Sequence, residues 1–95
     1  MARFPSGCSG ESTWKVDETS GHWFPVGTEG ATPGCVVATF TLKGRAIDND
    51  VGLDATEVAA LRRSHGEVIK QDPHDPQNFI LPLVPEGTPP IEIGP

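Results

Sequence analysis

From Cys35 to Lys43 the chain alternates. Val36, Ala38, Phe40 and Leu42 fall on one side and Cys35, Val37, Thr39, Thr41 and Lys43 on the other. A period of two predicts a strand with one face in a core. Gly44 interrupts the alternation and Arg45-Ala46-Ile47 resumes it, which predicts a bulge or bend in one long strand. Two shorter segments precede it: Thr13-Trp14-Lys15-Val16, with Trp14 and Val16 pointing together, and the aromatic His22-Trp23-Phe24-Pro25-Val26. Pro25 limits the pairing of the second, so an edge is expected there. Residues 27–34, rich in Gly, Thr and Pro, read as loop.

A helical pattern replaces the alternation between Asp54 and about His65. Asp54 can accept from the free amides of a first turn, and Glu57 stands at the spacing of a capping box. Ala55, Val58 and Leu61 make a narrow apolar stripe suited to packing on a sheet. Arg62, Arg63 and His65 suit the negative end of the helix dipole, and Gly66 is expected to stop the helix in the left-handed conformation. Beyond it, Glu67-Val68-Ile69-Lys70 reads as a short strand and Asp72-Pro73-His74-Asp75-Pro76 as a double turn. The apolar run Phe79–Val84 reads as another strand, placed by Pro82 at an edge or a bulge, and Ile91 and Ile93 alternate near the C-terminus as a strand would.

The order predicts a small α+β domain: a mostly antiparallel sheet or partly open barrel of about five strands, one covering helix over about 54–65, and extended Gly/Pro-rich termini. Residues 1–12 read as an N-terminal arm, 13–85 as the compact domain and 86–95 as an extended tail. With 11 Gly and 10 Pro in 95 residues, many tight turns are required of a thin core.

Charge narrows the function classes. The net charge is −6, and the excess lies wholly in the second half, because residues 1–47 carry four basic and four acidic side chains. Clustered Lys and Arg are missing, which argues against direct nucleic-acid binding. No apolar run reaches the length of a signal peptide or a membrane span, so a soluble cytoplasmic protein, or a virion component if viral, is expected. In that setting Cys8 and Cys35 are expected to be reduced thiols.

Candidate chemistry is sparse. Asp48, Asp50, Asp54 and Glu57 gather four carboxylates near a helix start, but the spacing misses the calcium-loop template at its glycine and at its last ligand, so an acidic surface with an N-cap is the expectation. Cys8, His22, Cys35, His65 and His74 have none of the short spacings of structural zinc sites, and nothing in the sequence joins Cys8 to a histidine base. No cofactor, metal or catalytic activity is expected. The residues most suited to a partner are Trp23 and Phe24, as interface aromatics, and Ile91 and Ile93, as a strand to add to a neighbour's sheet.

The leading expectation is therefore a non-enzymatic interaction or assembly component, such as a capsid decoration protein, docking on a protein partner or its own copies through extended termini and an edge strand. Loss of residues 86–95 should then abolish binding and leave stability nearly unchanged. The alternatives are a small acidic inhibitor of a basic site on a nucleic-acid-processing complex, and a Cys/His enzyme or metal protein.

Overall fold

The computed structural model describes residues 8–94 and shows an α+β domain whose sheets are open rather than closed into a barrel. Nine short strands and one helix follow one another as β1 (Glu11–Val16), β2 (Trp23–Glu29), β3 (Cys35–Val36), β4 (Phe40–Leu42), β5 (Arg45–Ile47), α1 (Ala55–His65), β6 (Lys70–Gln71), β7 (Phe79–Pro82), β8 (Val84–Pro85) and β9 (Ile91–Glu92). The largest sheet has the order β2-β1-β7-β6, a second pairs β3 with β8, and a third has the order β5-β4-β9. All pairings are antiparallel except β4 with β9.

The alternating run from Cys35 to Lys43 divides between two sheets. Cys35 and Val36 pair with Pro85 and Val84, whereas Phe40–Leu42 pair with β5 on one side and β9 on the other. Ala38 and Phe40 are buried as the alternation requires, and Val36 is exposed. Gly44 is no bulge in a continuing strand. Lys43 and Gly44 both take positive φ, 52° and 79°, which closes a two-residue hairpin and folds Arg45–Ile47 back onto β4. Residues 27–29, read as loop, extend β2, past a register shift opposite Thr13 and Trp14.

Trp14 centres the core at 0 % exposure. Its ring meets the edge of Phe40 at 5.7 Å and stacks on Phe79 at 5.7 Å, and its Nε1 donates to the buried Ser12 Oγ at 3.0 Å. A buried indole N–H needs such a partner. Leu53, Val58, Leu61, Leu81 and Ile93 complete the cluster. Pro82 sits in a central strand without harm, because β6 reaches only Phe79 and Ile80, so nothing pairs on that side of Pro82.

The helix begins as its sequence dictates. Glu57 N donates to Asp54 Oδ1 and Asp54 N to Glu57 Oε1, both at 2.8 Å, which completes the capping box. Its end differs, since Gly66 stays right-handed at φ −58° and the chain runs on into a turn closed by Val68 N on His65 O.

The thiol expectation is corrected: Cys8 and Cys35 form a disulfide across 27 residues, tying the lead-in of β1 to β3. Beside it, Ser9 N donates to Thr32 Oγ1 and Thr32 N to Ser9 O, so the same two segments are also joined by hydrogen bonds. The rest of the expected N-terminal arm, Met1–Gly7, lies outside the described residues.

Candidate functional site

The third sheet has an open side. Leu42 and Arg45 flank the two-residue turn, and Ile93 N donates to Thr41 O at 2.7 Å, so the backbone of Thr41 faces β9. Its cross-strand partner Ala46 must then turn its own N–H and C=O the other way, out of the sheet. A hollow of about 380 Å³ lies beside this edge, lined by Leu42, Lys43, Arg45, Ile47 and Glu57. It shares Arg45, Ala46, Ile47 and Glu57 with a second hollow of about 300 Å³ that reaches His22, Val51 and Asp54. Lys43 and Arg45 put positive charge at the turn, while Asp48, Asp54 and Glu57 put negative charge toward the helix start.

Most of the acidic cluster is engaged within the chain. Asp54 and Glu57 serve the capping box, and Asp48 Oδ1 accepts from Asp50 N at 2.8 Å to hold the turn after β5. Asp50 is exposed on that turn. Three of the four carboxylates thus already meet backbone donors, which accounts for their clustering without any ligand.

The other candidates separate. Trp23 is half-buried against the core, donates Nε1 to Gln77 O at 3.0 Å, and exchanges backbone bonds with Leu53 on the outer side of β2. Phe24 lies over Gly52, where a Cβ would come within 2.9 Å of its ring. Both aromatics therefore stand behind the wall of the second hollow. Ile91 and Ile93 are not held out to solvent: Ile91 packs half-buried on the core and Ile93 is 1 % exposed. The tail instead adds as a strand to the chain's own β4, with Ile91 opposite Phe40 and Glu92 opposite Thr41.

Two positions escaped the sequence. Ala46 is featureless by type, and only the pairing of its neighbours reveals its outward backbone. Glu92 reads as a polar residue between two isoleucines, yet its carboxylate accepts from Lys43 N at 2.9 Å, Gly44 N at 3.2 Å and Thr41 Oγ1 at 3.3 Å. It binds the hairpin turn as a cap binds a helix start.

The cysteine and histidine residues do not converge. Both sulfurs are in the disulfide, which removes Cys8 as a nucleophile; His22 Nδ1 lies 2.9 Å from Val51 O, and His65 Nε2 lies 2.8 Å from Glu92 O. Among the described residues no three His, Cys, Asp or Glu side chains are placed to share a metal ion, and no helix is long and apolar enough to cross a membrane.

Two loop carboxylates are held below their ordinary range. Asp17 is lowered chiefly by the Ser20 hydroxyl and then the Ser20 amide, and Asp72 by the amide of His74 and then the side chain of Asn78. A folded value below the unfolded one means that these bonds contribute fully above the unfolded pKa and are lost as pH falls through the folded one. In an NMR acid titration both carboxylates should protonate below pH 3.8, with the Ser20 and His74 amides shifting in step. A midpoint at or above that value would show the loops to be open in solution.

Compared with family models, curated proteins and solved structures, the chain matches none of them.

Proposed function

We propose that the protein is a non-enzymatic protein–protein interaction or assembly component, and that its docking surface is the outer edge of β5 with the hollows that flank it. The observation that supports this reading is the outward-facing backbone of Ala46 at the end of the third sheet, beside two adjoining hollows of which Lys43 lines one and Asp48 and Asp54 line the other. An extended segment of a partner laid there gains main-chain bonds from Ala46 and side-chain contacts from the hollows. Its acidic residues would lie toward Lys43 and Arg45 and its basic ones toward Asp48.

The long edge of the largest sheet is a poorer dock. Trp23 already spends its outward groups on Leu53, and Pro25, two residues on and facing the same way, has no N–H to give. A capsid decoration protein is one such assembly component, and the Cys8–Cys35 bond suits a particle that meets oxidising surroundings.

The test removes one donor. Ala46→Pro deletes the outward N–H while the ladder to β4, which does not use it, keeps its bonds. With the partner identified by photo-crosslinking from position 46, the variant should fold as judged by circular dichroism and bind about tenfold more weakly. A folded Ala46→Pro protein with undiminished binding would place the docking surface elsewhere.

A further inference from the structure

The groove between β4 and the end of α1 holds Ile91–Gly94 by contacts that read those four residues in order. Ile91 N donates to Thr39 O at 2.8 Å and Ile93 N to Thr41 O at 2.7 Å, which makes the parallel ladder. Ile93 is buried among core side chains, and the Glu92 carboxylate closes on the 43–44 turn. Behind them His65 Nε2 meets Glu92 O, and Gly94 N donates to Ser64 Oγ at 3.2 Å. Only glycine fits the last position, because a Cβ on Gly94 would come within 2.4 Å of the Ser64 Cβ. This is strand addition in full, with backbone bonds, a pocket for an alternate side chain and a charged anchor.

The connection to this segment is of another kind. After Pro85, Glu86 N still donates to Gly34 O at 2.8 Å, Gly87 turns in solvent, Thr88 bonds back to Pro85 O, and the exposed Pro89 and Pro90 have no N–H with which to join any ladder. A stiff proline spacer thus separates a complete recognition segment from the body that recognises it. Every contact made by Ile91–Gly94 is to a residue that each copy of the chain carries.

We propose that copies of this chain join by exchanging Ile91–Gly94, the segment of one copy seating in the β4–α1 groove of the next. Within one chain the segment has the advantage of high effective concentration, so exchange wins when copies are crowded or when the spacer cannot reach back. The contact is head-to-tail, and it closes into a ring or runs on as a filament according to the angle the spacer sets. It uses the side of β4 opposite β5 and does not depend on the surface proposed above.

The test shortens the spacer. A chain lacking Gly87 and Thr88 loses about 7 Å of reach and should sediment as dimers or longer species at concentrations where the full chain is a monomer. Adding a synthetic peptide of residues 88–95 in excess should return it to monomers by occupying the groove. A shortened chain that remains monomeric overturns the proposal, and so do oligomers indifferent to the peptide.

Discussion

Ending the chain before Ile91 is expected to lower its unfolding free energy by about 4 kcal/mol and its melting temperature by about 15–30 °C. Ile93 accounts for most of this, since removing a fully buried aliphatic side chain costs about 2–5 kcal/mol. The remainder comes from Glu92, whose loss leaves the Lys43 and Gly44 amides to water, and from Phe40, which loses its cover on one side. Ile93→Ala alone should show the larger part of the effect, and Glu92→Gln a small one because the amide can still accept. Urea titration of the three proteins checks the ranking. A truncated chain that melts with the full one would mean that the segment merely rests on the body.

Reducing the Cys8–Cys35 bond should cost about 3.5 kcal/mol, from the chain entropy released when a loop of this length opens. For a domain this small the fall in melting temperature is about 15–25 °C. The native state should change little, because Ser9 and Thr32 keep the two segments joined by hydrogen bonds after the sulfurs part. Scanning calorimetry with and without reductant measures the difference, and Cys8→Ser with Cys35→Ser should reproduce the reduced value. Equal melting temperatures would show that the unfolded chain is already compact around this pair.

What the sequence revealed and what it hid divide along the range of the interactions. The helix was legible because its signals are local: Asp54, Glu57 and the basic last turn act on their own backbone. Ala38 and Phe40 were legible as sharing one face because alternation persists even where the strand itself breaks, whereas nothing local marked Trp14 out from Trp23 and Phe24 as the centre of the core. The break between Val36 and Phe40 was not legible, since nothing in residues 37–39 announces that the chain is leaving one sheet for another. The Lys43–Gly44 turn lacked the Asn or Asp that usually marks such a hairpin, so a bulge was the natural reading. The candidate site was legible only in part. Asp54 and Glu57 declared a cap, but the outward backbone of Ala46 follows from the two-residue turn at Lys43–Gly44, which pairs Leu42 with Arg45 and leaves Thr41 and Ala46 facing away from each other. The strand expected of Ile91 and Ile93 forms at Ile91–Glu92, with Ile93 just beyond it, and its partner was hidden because a parallel pairing with the chain's own β4 leaves no mark in either segment.

The pairing of β1 with β7 and of β4 with β9 bears on how quickly this molecule can assemble. Glu11 meets Pro82 and Phe40 meets Ile91, so two of its sheets close only after long stretches of intervening chain have been brought together. The β1–β2 and β4–β5 hairpins and the helix can form early from local contacts, but none of them has a core until β7 and the last strand arrive. Such a topology belongs with domains that fold in milliseconds to seconds rather than microseconds. During that interval the half-built sheets are open at the edges that the finished molecule fills.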